Sequence, residues 1–163
     1  MAINKKIVTL KQLIPIVYKI KKQNKKIVTT NGVFDILHLG HVKYLEDAKK
    51  LGDVLIIGVN TDFSVKKIKG EKRPINDEKS RVGVLAALES VDYVFLFNEK
   101  DPTSWLLKIK PDIHVKAGDY KPSQIIEKEV VEKNGGKIVI AKIESGYSTT
   151  NLINKILETY RNQ

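Results

Sequence analysis

The run Val54-Leu55-Ile56-Ile57-Gly58-Val59 constrains this chain more than any other stretch. A strand that is apolar at successive positions, rather than at alternate ones, has both faces covered. That places it inside a parallel sheet with helices above and below. The surrounding pattern agrees. Strand-like runs at about 26–30, 54–59, 93–97, 113–116 and 137–141 alternate with helical stretches near 39–51, 79–89, 102–109, 123–133 and 149–160. Ahead of them, Leu10, Leu13, Ile14, Val17 and Ile20 fall on one face of a helix, in which Pro15 argues for a kink or a later start. The expected fold is α/β, a doubly wound five-stranded parallel sheet with helices on both faces. Residues 1–163 would form a single domain, with 1–25 a helical segment packed on it. No internal repeat, low-complexity tract or Pro/Ser-rich linker interrupts the pattern.

Composition narrows the function classes. No stretch approaches the roughly 20 apolar residues that span a bilayer, so no membrane partner is expected. The opening MAINKKIVTL lacks the apolar run of a secretory signal, which makes the cytoplasm the default. With no cysteine, disulfides, thiolate nucleophiles and cysteine-ligated zinc are all excluded. The formal charge of +10, from 29 basic and 19 acidic residues, invites a nucleic-acid hypothesis. Two features weigh against it. Only Arg73, Arg81 and Arg161 are arginines, and the lysines are spread along the whole chain. Attraction of small anionic substrates is the better expectation.

In an open parallel sheet, ligands bind beyond the carboxyl ends of the strands, where the winding reverses. The loop after the first strand holds His38-Leu39-Gly40-His41. Ile27 to Thr30 reads as a buried strand, which Asn31-Gly32 can break. From Leu39 the apolar positions Val42, Leu45, Ala48 and Leu51 recur at helical spacing, with Gly52 placed as a C-terminal cap. Backbone N–H groups at such a helix start favour an anion. Imidazoles at i and i+3 can both donate to one phosphate, and Gly40 leaves no side chain between them. The plainer alternative is one histidine capping the helix and one on its surface. The strand before, the helix after and the lead-in Gly32-Val33-Phe34-Asp35 favour a phosphate grip.

The blocks TTNGVFDILHLGHVKYL, GVNTD, KGEKRP, VKAGDY and GYSTTNLI occur in the order seen in H-x-G-H nucleotidyltransferases of the cytidylyltransferase-like superfamily. The chain resembles that family from about Leu10 to Leu157, and within it the adenylyltransferase domains of bacterial ADP-heptose synthases most closely. The first block alone fits glycerol-3-phosphate cytidylyltransferases nearly as well. The resemblance implies a Rossmann-like fold and transfer of AMP from ATP to D-glycero-β-D-manno-heptose 1-phosphate. The products would be ADP-heptose, a precursor of lipopolysaccharide or another surface glycan, and pyrophosphate. It also implies Mg2+ bridging the NTP phosphates, a homodimer, and a separate sugar kinase and phosphatase upstream. The chemistry suits the residues. A substrate phosphate, with a second pKa of about 6, is already an anionic nucleophile at neutral pH and needs no general base. Catalysis then reduces to in-line positioning and charge neutralisation.

By this resemblance His38 and His41 hold the NTP phosphates and stabilise the transition state. Asn31, Gly32, Val33, Phe34 and Gly40 belong to the nucleotide site around them. Asp35 could orient the tetrad or face magnesium, or be an ordinary turn aspartate. Asp62, after the second strand, lies in a loop near the active site of related enzymes, though a turn or helix cap would explain it too. Among Lys66, Lys67 and Lys69, one lysine (Lys69 by its place in KGxxRP) and Arg73 are expected to contact ligand from a flexible loop over the phosphates. In similar enzymes an arginine at Arg81 reaches the nucleotide. Lys116 is expected to pair with a substrate phosphate, Gly118 to allow close backbone approach and Asp119 to bind a sugar or ribose hydroxyl. His114, inside its strand, reads as packed. Relatives use the serine/threonine motif, here Ser148, Thr149 and Thr150, against the β- and γ-phosphates; many carry lysine where this chain has Asn151. Two rivals stand beside this reading. One is a cytidylyltransferase acting on glycerol 3-phosphate or another polyol phosphate. The other is a non-catalytic nucleotide or nucleic-acid binder, which would not need the intact tetrad and serine/threonine motif together.

Overall fold

At the centre of the sheet lies β1 (Ile27–Gly32), hydrogen-bonded on one side to β2 (Val54–Asn60) and on the other to β4 (Ile113–Ala117). Strands β3 (Tyr93–Phe97) and β5 (Lys137–Ala141) complete it, all parallel, in the order β3-β2-β1-β4-β5. This computed structural model describes residues 2–118, 124–141 and 147–161. Eight helices are described: α1 (Ile3–Lys6), α2 (Leu10–Lys22), α3 (Leu39–Lys49), α4 (Asp62–Lys69), α5 (Glu78–Ala87), α6 (Thr103–Ile109), α7 (Lys128–Lys133) and α8 (Thr149–Tyr160).

Every residue of β2 is buried, as its unbroken apolar run requires. Leu55, Ile57 and Val59 pack with Tyr44, Leu45 and Ala48 of α3 and with Val82, Leu85 and Ala86 of α5. Val54 and Ile56 meet the opposite layer, where Leu13, Val17 and Ile20 of α2 lie with Trp105, Leu106 and Ile109 of α6. Each of these large side chains contributes roughly 1.5–3 kcal/mol when fully buried. A Cβ at Gly58 would lie 3.0 Å from Trp105 Cζ2, so the glycine makes room for the indole. The two layers give the doubly wound sheet that the alternation predicts. Its winding reverses between β1 and β4, and a crevice opens beyond their carboxyl ends.

Several boundaries depart from expectation. Asn31 and Gly32 do not break β1; they pair with Gly58 and Val59, and the chain turns only at Phe34. Helix α2 starts at Leu10, ahead of Pro15, because Thr9 and Gln12 cap it reciprocally (Thr9 N–H to Gln12 Oε1, 2.8 Å; Gln12 N–H to Thr9 Oγ1, 3.2 Å). Pro15 lies on the exposed side, where the carbonyl it leaves unbonded can meet water. Helix α3 stops at Lys49, and Gly52 is not in the left-handed region. A Cβ there would lie 2.7 Å from Val28 Cγ2, so close approach, not capping, selects the glycine. Helix α4 occupies a stretch expected to be loop. Thr61 accepts from Ser64 N–H at 3.2 Å, Val65 is buried, and Gly70 ends the helix at φ +92°. Helix α7 is shorter than the 123–133 expected, and the helical segment expected over 1–25 is divided into α1 and α2. No described helix is long and apolar enough to cross a membrane.

Candidate active site

The chain leaves β1 through Phe34, whose φ of +49° is unusual for a bulky residue and costs about 1–2 kcal/mol. Packing holds it there. Phe34 is buried, a Cβ on Gly32 would come within 3.1 Å of its ring, and the ring lies 5.4 Å from that of His41. His38 takes the N-cap position of α3, and His41 follows one turn on. The rings stack at 3.8 Å, 28° apart, instead of splaying side by side. The His38 backbone N–H donates to His41 Nδ1 at 3.4 Å, so a neutral His41 carries its proton on Nε2. Burial lowers the pKa of both. His41 falls to about 4, through burial first and the His38 charge second. At neutral pH each ring is uncharged and has one N–H to give. His41 is half-buried beneath Phe34, which is not the position of a surface histidine.

A cavity of about 330 Å³ opens at the winding reversal. It draws Asn31, Gly32 and Phe34 from the end of β1, and His38, Gly40 and His41 from the start of α3. Lys116 joins them from β4, and Ser148 and Thr149 from the start of α8. Two polar atoms in its lining, Asn31 Oδ1 and His38 Nδ1, are buried without a hydrogen-bond partner. Such atoms are rare in folded proteins, and both belong to residues that line the cavity. Gly40 is also packed: a Cβ would lie 3.1 Å from both His38 Nδ1 and Tyr147 Cβ. Ser148 caps α8 by accepting from Asn151 N–H at 3.0 Å, which leaves its own proton available to an anion. The Asn151 side chain is exposed.

A second cavity, about 220 Å³, is lined by Val33, Asp35, Lys69, Arg73 and Thr150, and it shares Phe34, His41 and Thr149 with the first. His41 therefore stands at the boundary between two spaces. Helix α4 sorts the lysine run. Lys69 lines this cavity, Lys66 lies 3.7 Å from Glu71, and Lys67 covers the Phe63 ring at 4.0 Å.

At the wall of the smaller cavity and behind it, charged residues pair with one another. Asp35 accepts from Arg73 Nε at 2.6 Å and from the backbone N–H groups of Ile75 and Asn76 at 2.8 Å each. Burial alone would raise its carboxyl, but these donors hold it below the usual range. With both oxygens accepting, Asp35 anchors the loop after α4. The Arg81 side chain is wholly buried. It donates to the carbonyls of Val33 (2.5 Å), Asn60 (2.8 Å) and Asn76 (3.1 Å) and to Asp62 Oδ1 (2.7 Å). Asp62 Oδ2 accepts from Glu78 N–H at 3.1 Å. Contrary to expectation, Asp62 and Arg81 line neither cavity; they tie α4 and α5 to the ends of β1 and β2. Gly118 turns the chain beyond β4 at φ +133°, with its N–H on Ala141 O at 3.3 Å. Asp119 lies outside the described residues.

Beside Ala117, two tyrosines of the larger cavity escaped sequence reasoning. Tyr44, one helical turn past His41, lines the larger cavity and hydrogen-bonds Thr30 Oγ1; burial raises its phenol pKa. Only its i+3 spacing from His41 could have signalled it. Tyr147, whose ring lies 6.3 Å from that of His38, was visible in GYSTT but hidden beside its hydroxyl neighbours.

A doubly wound sheet with a stacked imidazole pair at the switch point, flanked by a second helix start, defines a class, and comparison agrees. Residues 29–155 match the model of the cytidylyltransferase-like family, and the chain belongs to that family. It is 50% identical over 155 residues to the bifunctional protein HldE of Geobacter metallireducens, covering 95% of this chain and 32% of that one. With the HldE of Histophilus somni it shares 55% over 136 residues, or 83% and 29% of the two chains. The chain thus spans about a third of the length of these curated relatives. Among solved structures, the lipopolysaccharide core biosynthesis protein from Thermoplasma volcanium GSS1 superposes with a TM-score of 0.61 at 35% identity, covering 76% of this chain and 99% of that one. Pantoate-beta-alanine ligase from Francisella tularensis reaches 0.61 at 22% identity, over 96% and 79%, and shares the fold.

Proposed function

We propose that the chain is an adenylyltransferase that moves AMP from ATP to D-glycero-β-D-manno-heptose 1-phosphate, giving ADP-heptose and pyrophosphate. The observation that carries the chemistry is the pair of cavities meeting at His41. Two substrates and one bond exchange need two adjoining spaces with a donor at their border. Family membership and the identity to HldE support nucleotidyl transfer. The choice of ATP and heptose follows the resemblance of the five motif blocks.

The larger cavity takes the nucleotide, with Tyr147, Lys116 and the starts of α3 and α8 around it. The unpartnered Asn31 Oδ1 and His38 Nδ1 fit a polar ligand there. The smaller takes the sugar phosphate, facing Lys69 and Arg73. An oxygen of the sugar phosphate attacks the α-phosphorus, a P–O bond forms, and the bond to the bridging β-phosphate oxygen breaks as pyrophosphate leaves. No proton has to be removed from the nucleophile, because it arrives charged. His41 donates from Nε2 to the α-phosphate oxygens as charge grows on them, and the helix starts and Lys116 receive the departing pyrophosphate. Among the described residues no three carboxylate or imidazole groups converge on a metal position. Magnesium, which the resemblance implies, would supply charge neutralisation at the nucleotide's phosphates.

In the same reading residues 1–163 work as a single nucleotidyltransferase domain in the cytoplasm, as a homodimer. A sugar kinase and a phosphatase supply its substrate. The test is pyrophosphate release across a panel of ATP and CTP against heptose 1-phosphate and glycerol 3-phosphate. Turnover with ATP and heptose 1-phosphate is expected; turnover only with CTP and glycerol 3-phosphate overturns it. Salt-dependent binding of nucleic acid without any pyrophosphate release would make the chain a binder instead.

A further inference from the structure

Lys116 reaches the larger cavity from β4 with its Nζ 2.6 Å from Oε1 of Glu127. Glu127 comes from the turn just ahead of α7 and is 3% exposed. Burying a carboxylate is costly unless something nearby uses its charge. Its position as N-cap of α7 does not account for it, since its side chain makes no cap hydrogen bond. The same oxygen lies 3.5 Å from Nε2 of His114, which is fully buried two residues before Lys116 and on the same side of the strand. Nδ1 of His114 in turn lies 2.8 Å from Oγ1 of Thr29, its register partner on β1.

A buried line of polar groups therefore runs from the central strand, through His114, to a carboxylate and then to the lysine at the cavity. Burial alone would raise the carboxyl of Glu127, yet His114 and Lys116 hold it at about 2. Burial lowers the His114 pKa, so that ring is neutral. The ionised carboxylate beside Nε2 favours the proton there, leaving Nδ1 to accept from the Thr29 hydroxyl. A lysine carries a long flexible stem, and ordering it only when substrate binds would cost rotamer entropy at that moment. Its ammonium has three donors, so the ion pair with Glu127 does not by itself exhaust them.

We infer that Glu127 is a positioning residue for Lys116: oriented by His114 and Thr29, its carboxylate fixes the ammonium at the cavity before the anionic substrate arrives. The inference rests on the proposed contact between Lys116 and a substrate phosphate.

The test is a double-mutant cycle in steady-state pyrophosphate release with ATP and the sugar phosphate that the panel identifies. The isosteric Glu127→Gln keeps the lysine's charge and loses its placement. It is expected to lower kcat by about tenfold or more, as small misplacements do, and to change KM for ATP by less than about threefold, since ground-state attraction persists. Lys116→Ala is expected to impair both, and adding Glu127→Gln to it should do nothing further. Independent, multiplying effects overturn the inference, and so does an unchanged kcat with a lowered KM, which would mean that Glu127 only offsets charge. A damaging Lys116→Ala beside a silent Glu127→Gln overturns the inference alone. Normal turnover by Lys116→Ala overturns the phosphate contact and the inference together. Should Glu127→Gln lack a cooperative thermal transition, Glu127→Asp replaces it in the same cycle. It keeps the charge but withdraws it by one methylene, and its loss of kcat should likewise vanish in the Lys116→Ala background.

Discussion

Two polar regions lie side by side at the carboxyl end of this sheet, and they handle hydrogen bonds in opposite ways. Around Asp35, Asp62, Arg73 and Arg81, nearly every donor and acceptor is matched within the protein. Around His38 and His41, buried polar atoms are left unmatched and the rings are uncharged. The first is a brace. The second is open to a ligand, because an unmet hydrogen bond in a cavity is what an incoming phosphate or nucleotide can complete. Asp62 and Arg81 therefore serve the fold, while Lys69, Arg73 and Lys116 keep positive charge at the cavities.

Breaking the brace should have the largest effect. Arg81→Met leaves the Asp62 carboxylate and three carbonyls without their donor, and should lower unfolding free energy by about 3–5 kcal/mol in urea titrations. A variant of normal stability that had lost ATP binding would erase the distinction between the two regions. Next comes the open region. His41→Ala should reduce kcat by roughly 10²-fold or more, as loss of one transition-state donor does, with the thermal transition little changed. Near-normal turnover would remove His41 from the reaction.

A smaller effect follows from the same histidine through pH. An unfolded His41 takes up a proton near its ordinary 6.5, and the folded one only near about 4. Between those values the unfolded state holds more protons, so stability should fall as pH drops from about 6.5 towards about 4. Burial of His38 and His114 acts in the same direction. Asp35 and Glu127, with lowered pKa values, add their losses mainly below that window. Urea midpoints at mildly acidic and neutral pH would show this slope, flattened in His41→Phe. An unchanged slope in that variant would mean the ring is not buried as described. The smallest effect is expected at Lys67, over Phe63 at the surface. Lys67→Ala should cost at most about 1 kcal/mol and leave turnover unaltered, whereas Lys69→Ala should raise KM for the sugar phosphate. Equal effects of the two on KM would show that helix α4 does not sort the lysines by face.

The layered sheet was legible in the sequence because burial leaves a local signature. Val54 to Val59 could only be covered on both faces, and the spacing from Leu39 to Ala48 could only be a helix closing one of them. The histidine tetrad was legible for a similar reason, since a strand end, a glycine and a helix start occur within a dozen residues. Helix α4 was not, because its charged face masked one buried apolar residue, Val65, and an uncommitted capping threonine. Nor could the sequence separate Arg73 at a cavity from Arg81 in the brace.

By itself, then, the sequence determined the architecture and the place of the histidine tetrad at the carboxyl end of the sheet. Only the tertiary structure decided which charges are spent. Asp35 meets Arg73 across 38 residues and Arg81 meets Val33 across 48. Apolar periodicity repeats within a few positions of the chain, whereas a hydrogen bond is satisfied by whichever partner the fold brings near, and that partner is set by packing at a distance.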